Sequence, residues 1–542
     1  MSYRHIFNIT LNLAACAGLF AVLSVPNQLV WVSPAAFAYF PLEFMLIGLL
    51  LLLPGRSGRV AKVVLAVILG IAMLLRAADL MSHEVLGRPF DLIFDIHLLA
   101  DGGNVLSGAM GEFAAVGFGL LLVTLSVVLC WLAFVMLGRV QQMLLIKARV
   151  SAPVLAALLL AWGLFGVFGS TRSGSFTLDQ LVWHGRDTLN SVLDIRQFAE
   201  TVEDDALADR ADSTLLNRLQ GKDVFVVFAE SYGRVLLERE PFAEAMTATL
   251  TSAQDTLAAE GVQIRSAYLT SPVAGGLSWL AHASALSGTW IDSETRFKTL
   301  VMSERLTLNR LFQKAGWRTV AAMPGITMLW PEGEYFGYDH IYNAHNFGYE
   351  GEPFNWVTMP DQYVMSALQA RERNGSSRLP VMAEVALISS HAPWTPIAKL
   401  VPWEEVGDGR IFNNQALAGP TPEVVWREVE SIRDHYRQAI EYMLSNLVSY
   451  VQEYGDENLV ILLLGDHPPA PMVSGDPDAR QVPIHLIARD AEVIEAVAHW
   501  DWQPGMLPGS DAPVWRMDEL RDRFVEAFTV ETSFSTGVVA AE

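Results

Sequence analysis

Five apolar stretches crowd the start of this chain, at about 7–31, 34–54, 60–77, 114–137 and 151–169. Each is close to the ~20 residues a helix needs to cross the hydrocarbon core of a bilayer. Runs of that length with almost no charge belong in a membrane or in the centre of a very large core. Composition favours the membrane: 51% of the 542 residues are apolar and 18% are charged. Residues 1–170 are therefore expected to form a domain of five transmembrane helices.

Loop charge gives the expected orientation. Arg56, Arg59 and Lys62 follow the second stretch, and Arg139, Lys147 and Arg149 follow the fourth, so both connections belong in the cytoplasm. Between the third and fourth, Asp79, Glu84, Asp91, Asp95, Asp101 and Glu112 outnumber Arg76 and Arg88. That connection reads as outside. Alternation places the N-terminus in the cytoplasm and everything after residue 170 outside the plasma membrane. The first stretch has no convincing cleavage site and is expected to be retained.

The remainder has another character. Residues 1–170 hold nine Lys and Arg against seven Asp and Glu, whereas residues 171–542 hold 28 against 52. No segment is basic enough for nucleic-acid binding. Both cysteines, Cys16 and Cys130, lie in the apolar half, so the acidic half folds without a disulfide of its own. Residues 171–218 read as a connector whose pattern "LDQLVWHGRDTLNSVLDIRQFAE" fits an amphipathic helix near the membrane.

From residue 219 to 542, short apolar runs alternate with helical patterns. "DVFVVFAES" ends in Glu230 and Ser231, "VMAEVALISSHAPW" runs to Ser390 and His391, and "LVILLLGDHPP" ends in Asp466 and His467. "VPIHLIA" is a fourth run, and residues 423–455 form a long helical pattern. This is the grammar of an α/β domain with a mainly parallel sheet. In such sheets ligands bind beyond the carboxyl ends of the strands. A lone carboxylate there is commonly a turn or cap residue. Glu230, Asp466 and His467 on converging strand ends instead suit a divalent cation, with Mn²⁺, Zn²⁺ and Mg²⁺ all compatible.

Ser278 follows Gly275 and Gly276 and opens a helical stretch, 278–287. It reads either as an N-cap or as a nucleophile at a helix N-terminus that favours anionic charge. In the second reading Ser278 is also a metal ligand and forms a phospho-serine, and His391 is a candidate to protonate the leaving group or to hold the headgroup. His282, four residues on, shares the Ser278 helix face. It reads as a half-buried, satisfied histidine or as an approach to the site. His485 reads as core. The aromatic-rich segment from Tyr335 to Trp356, with Trp330 and Trp394, reads equally as core or as a groove.

These residues resemble the alkaline phosphatase superfamily, in particular its sulfatase-like membrane branch of lipoteichoic acid synthases and phosphoglycerol transferases. The match lies in Glu230-Ser231, Ser278, His391 with Pro393, Asp466-His467 and "YFGYDHIYN" at 335–343. The resemblance implies five transmembrane helices before an extracytoplasmic catalytic domain. It also implies a single divalent metal and transfer of a phosphoglycerol-type headgroup from a membrane lipid donor to a glycan or lipid acceptor. The lipoteichoic acid synthases use threonine where this chain has Ser278, which leaves Ser271 and Thr270 as other registers. Leu280 and His282 replace the Pro or Ala and the Arg that mark formylglycine formation, which argues against a true sulfatase. The cysteine-free domain departs from the disulfide-rich phosphoethanolamine transferases. A phosphodiesterase, phosphatase or sulfatase-like hydrolase and a non-catalytic sensor on the same fold are the alternatives.

Overall fold

The computed structural model describes residues 3–27, 29, 33, 37, 40–86, 88–92, 95, 112–167, 173–174, 176–210, 212, 214–375 and 377–530. The chain divides into two compact units, one of residues 1–84 and 88–194, the other of residues 85–87 and 195–542. The boundary falls within a single helix, Phe176–Glu203.

The first unit contains helices Tyr3–Ser24, Leu42–Leu51, Gly55–Leu86, Glu112–Ile146 and Ala148–Val167. Two short strands, β1 (Phe40–Pro41) and β2 (Ser173–Gly174), pair in parallel. Among the described residues, three helices are long and apolar enough to cross a membrane: Ile6–Ser24, Gly55–Leu86 and Gly119–Ile146. Among these residues the expected count of five is not reached by length and composition. Pro41 precedes the second helix and delays its start to Leu42, leaving 10 residues. At about 1.5 Å per residue it rises only ~15 Å. The apolar helix Ala148–Leu164 also falls short. The third helix is longer than its apolar stretch and carries Arg76 and Asp79 inside it, both buried. Asp79 Oδ2 accepts from Gln180 Nε2 at 2.8 Å and lies 3.2 Å from His184 Nε2. Arg76 donates to Val22 O at 2.5 Å and to Gln180 Oε1 at 3.0 Å. Most of the acidic connection, including Asp101, lies outside the described residues.

The second unit is built on one sheet of strands β3 (Asp223–Ala229), β4 (Gln263–Thr270), β5 (Arg318–Met323), β6 (His340–Asn343), β7 (Val381–Leu387), β8 (Leu459–Gly465), β9 (Gln481–Ala488), β10 (Gln503–Pro504) and β11 (Val514–Arg516). Their order is β10-β4-β9-β8-β3-β7-β5-β6, with β11 also beside β4. β6, β5, β7, β3 and β8 run parallel, whereas β9 is antiparallel to β8 and to β4. The sheet is therefore mixed and mostly parallel.

The central strands are covered on both faces, which explains their unbroken apolar runs. Phe225 and Val227 of β3 enter one core with Ile440, Met443 and Leu447 of helix Val429–Tyr454. Val224, Val226 and Phe228 enter the other with Leu280, Ala281 and Ala283 of helix Ser278–Ser287. Burying each such Val, Leu or Phe contributes about 1.5–3 kcal/mol. In register, Ala229 of β3 lies beside Leu387 of β7 and Gly465 of β8. The segments that follow these three strands therefore leave the sheet side by side.

Candidate metal centre

Glu230 follows β3 and Asp466-His467 follows β8, so the parallel register brings them together. All three are buried, and one ligating atom from each lies within 4.8 Å of the others. Gly465 makes the approach possible. A Cβ there would stand 2.1 Å from Tyr232 O and 2.9 Å from Val482 Cβ.

The surroundings fix how each group presents itself. Asp466 Oδ1 accepts from the backbone N–H of Ser231 at 2.8 Å and of His467 at 2.6 Å. Its Oδ2 lies 3.7 Å from His467 Nε2. Glu230 Oε1 accepts from Ser231 Oγ at 2.8 Å. His467 Nδ1 lies 2.9 Å from Pro468 O, an acceptor only. Nδ1 therefore carries the proton, and Nε2 faces Glu230 Oε1 at 3.4 Å. Ser390 Oγ donates to Glu230 O at 2.6 Å and Tyr436 Oη to Ser231 O at 2.7 Å, lacing the strand ends together.

Ser278 completes the cluster. Its Oγ donates to Glu230 Oε2 at 3.1 Å and lies 3.1 Å from His467 Nε2. The capping position of its helix belongs to Leu277, whose side chain makes no cap. The N-cap reading of Ser278 thus fails on geometry. Leu277 holds a left-handed φ of 64°, and Ser231 and Trp394 hold φ of 59° and 58°. Three non-glycine residues in this costly region of backbone space therefore adjoin Ser278, Glu230 and the His391 turn. Ser271 Oγ is spent on Asp466 O at 2.6 Å, and the structure brings Ser278, not Ser271, to the carboxylates.

Electrostatics follow from burial and proximity. Burial opposes the charge on Glu230, but facing His467 and His391 outweigh it and hold the carboxyl low. Burial and the Glu230 charge push Asp466 up. Burial works against the charge on His467, but the two carboxylates outweigh it and raise the imidazole. Among the described residues no Lys or Arg pairs with either carboxylate. Two buried carboxylates, a lone-pair imidazole nitrogen and a hydroxyl form a donor set that fits a divalent cation.

His391 is exposed, with Nδ1 2.6 Å from Ala392 O; it stands close enough to help hold Glu230 low, and among the described residues it makes no hydrogen bond to Ser278. His485 is fully buried in β9, beside Ser266 Oγ at 2.6 Å and Tyr232 Oη at 3.2 Å. In the aromatic segment, Phe336, Tyr342 and Phe347 are core, whereas Trp356 is exposed. Sequence reading passed over Glu384, a buried carboxylate within β7. It lies 2.8 Å from His282 Nδ1. The signal was a lone Glu inside "VMAEVAL".

The fold and site together define an α/β domain with a two-carboxylate, one-imidazole, one-hydroxyl centre at the carboxyl edge of its sheet. No family model and no curated protein matches the chain. Among solved structures it is similar to the lipoteichoic acid synthase LtaP from Listeria monocytogenes, at 16% identity over 62% of this chain and 78% of that one, with a TM-score of 0.39. It is also similar to the C-terminal periplasmic domain of EptC from Escherichia coli in complex with Zn, at 14% identity over 57% and 83%, TM-score 0.38. A third likeness is to a protein in the alkaline phosphatase superfamily from Vibrio parahaemolyticus, at 15% identity over 62% and 74%, TM-score 0.37.

Proposed function

We propose that this chain is a membrane-anchored, metal-dependent phosphoester transferase working through a phospho-serine on Ser278. The observation that carries this reading is the Ser278 hydroxyl, 3.1 Å from both Glu230 Oε2 and His467 Nε2 within a buried carboxylate pair. Glu230, Asp466, His467 and Ser278 would hold one Mn²⁺, Zn²⁺ or Mg²⁺. When bound, that ion supplies Lewis-acid stabilisation of phosphoryl charge and a more acidic serine hydroxyl.

Ser278 Oγ–H is oriented by its hydrogen bond to Glu230 Oε2 and gives its proton to solvent as Oγ bonds to phosphorus. The bond to the departing alcohol breaks, and His391 gives that oxygen a proton. An acceptor hydroxyl then passes its proton to His391, its oxygen bonds to phosphorus, and Ser278 Oγ leaves and recovers a proton from solvent. The donor in this reading is a phosphoglycerol-type lipid headgroup and the acceptor a glycan or a lipid. Residues 219–542 form the catalytic domain outside the plasma membrane, the helices of residues 1–170 anchor it in the bilayer from a cytoplasmic N-terminus, and residues 171–218 connect the two.

The test uses the full chain in detergent, stripped by chelator and assayed on a chromogenic phosphodiester with Mn²⁺, Zn²⁺ or Mg²⁺ restored. Metal-restored turnover, with a phosphorylated peptide that maps to Ser278, is the expected result. Labelled phosphoglycerol lipid then separates transfer to an acceptor from hydrolysis. A wild-type chain that binds none of the three metals overturns the reading.

A further inference from the structure

Helix Phe176–Glu203 is amphipathic with its faces reversed. At about 3.6 residues per turn, Leu178, Val182, Leu189, Val192 and Leu193 fall in one stripe roughly 100° wide. All five are exposed, Leu189 at 60% and Leu193 at 56%. Thr177, Gln180 and His184 lie on the opposite side of the helix, and all three are buried. A helix on a water-facing surface does the contrary: it turns its apolar stripe to the core and its polar side out. Asp179, Arg186 and Asn190 stand exposed along one margin of the stripe.

The buried side is tied down by hydrogen bonds within the first compact unit. Gln180 Nε2 donates to Asp79 Oδ2 at 2.8 Å, and His184 Nε2 lies 3.2 Å from the same oxygen. Arg76 Nη2 donates to Gln180 Oε1 at 3.0 Å and to Thr177 Oγ1 at 3.3 Å. The Leu178 N–H donates to Glu43 Oε1 at 2.8 Å. Arg76 and Asp79 belong to helix Gly55–Leu86, which is long and apolar enough to cross a membrane and exposes Val64, Val67 and Ile71. Ionisable side chains on such helices turn inward and pair with one another or with polar neighbours. That inward pairing fixes the roll of helix Phe176–Glu203 and leaves its leucine and valine stripe facing out. The stripe ends at Leu193, and the first unit ends at Asp194. A contiguous exposed apolar face rimmed by polar residues marks a surface that meets a partner or a membrane. Here it belongs to the same unit as the apolar helices and is inverted as a lipid-facing helix is.

We propose that residues 178–193 of this helix turn their apolar stripe to the acyl chains of the bilayer, so that the lipid contact of the first unit continues past residue 170 to Leu193. The proposal rests on the membrane reading of residues 1–170 and is independent of the chemistry at Ser278. It makes the first half of the connector part of the membrane body, with the Arg76–Asp79 cluster as its inner face.

The test uses the full chain in phosphatidylcholine vesicles, carrying Cys16→Ala and Cys130→Ala and one nitroxide-labelled cysteine at a time. Oxygen, which concentrates among acyl chains, and a polar nickel chelate, which stays in water, are the two collision probes. At Leu189→Cys and Leu193→Cys, oxygen collisions are expected to exceed nickel collisions severalfold, as at Val127→Cys on the exposed face of helix Glu112–Ile146. Asn190→Cys, one residue along and at the margin of the stripe, is expected to admit the nickel chelate severalfold better than Leu189→Cys. All four labels replace exposed side chains, so the fold is retained. Equal nickel access at Leu189→Cys and Asn190→Cys overturns the proposal and leaves the stripe in water. Weak collision with both probes at Leu189→Cys also overturns it and assigns the stripe to a second copy or another protein. Free nickel access at Val127→Cys brings down the membrane reading of residues 1–170 instead.

Discussion

Strand β3 carries a buried carboxylate at each end, and the protein surrounds the two differently. Asp223 begins the strand and meets two guanidinium groups: Arg378 Nη1 and Nη2 donate at 2.6 and 2.5 Å, and Arg373 Nε at 3.0 Å. The Val381 N–H adds a fourth bond at 3.0 Å. Burial works against this charge, but Arg378, the backbone N–H and Arg373 outweigh it and hold Asp223 low. Glu230 follows the far end of the strand and faces another carboxylate, an imidazole and two hydroxyls. A chain able to build a two-arginine clamp at one end of a strand has built none at the other. The first end is closed by the protein's own cations, so it serves the fold. The second converges oxygen and nitrogen donors around a point, which suits a cation taken from solution.

The sharpest test of that contrast is activity. Ser278→Ala and Asp466→Ala are each expected to cost on the order of 10³-fold or more in kcat, as loss of a nucleophile or its activation does. Both variants should unfold near the wild-type midpoint. A Ser278→Ala enzyme with more than a tenth of wild-type turnover would break the assignment of the two ends. At the opposite end, Asp223→Ala strands Arg373, whose side chain is 2% exposed, as a buried and partly uncompensated charge. A loss of about 3–5 kcal/mol in unfolding free energy is expected, with kcat of the folded enzyme unchanged. Denaturant unfolding beside an activity assay reads both. A folded Asp223→Ala enzyme with impaired kcat would blur the distinction.

Much of this contrast is legible in the residues. Glu230, Asp466 and His467 announce themselves because polar side chains directly follow apolar strands, and Ser278 follows two glycines at a helix start. Glu384 was hidden because a single charge inside an apolar run is lost in the hydropathy of its neighbours. Its partners Asn309 and Tyr338 are far away in sequence and meet it only in the folded chain. The direction of β9 was equally hidden, since a fully buried run reads the same for parallel and antiparallel pairing. In the first unit, apolar length overstated helix length where Pro41 delays the second helix. The burial of Arg76 and Asp79 depends on Gln180 and His184, about a hundred residues later.

Metal addition sharpens the comparison at a smaller scale. An ion that binds the folded state at 100 times its dissociation constant adds about 2.7 kcal/mol of stability. Wild type should gain that on adding Mn²⁺ or Zn²⁺, Asp466→Asn should gain little, and Asp223→Asn should gain as much as wild type from a lower start. Equal gains in Asp466→Asn and wild type would place the ion elsewhere.

A third carboxylate tests the premise beneath the comparison, that a buried carboxylate with neither a cation nor a metal gives up its charge. Asp361 is fully buried at the start of helix Asp361–Leu368. Its Oδ1 accepts from Ser389 N at 3.0 Å, and its Oδ2 has no partner among the described residues. Burial raises its carboxyl to about 7, against about 3.9 in an unfolded chain. The folded state therefore holds this proton more tightly than the unfolded state. Its contribution is full below about pH 4 and is lost as pH rises through about 7. Wild type should lose about 2 kcal/mol of unfolding free energy from this group between about pH 5 and 7. Asp361→Asn should show a correspondingly flatter profile and exceed wild type above pH 7. Denaturant midpoints at half-unit pH steps measure both slopes, and identical slopes would mean that Asp361 remains ionised and that burial alone does not decide the fate of a carboxylate in this sheet.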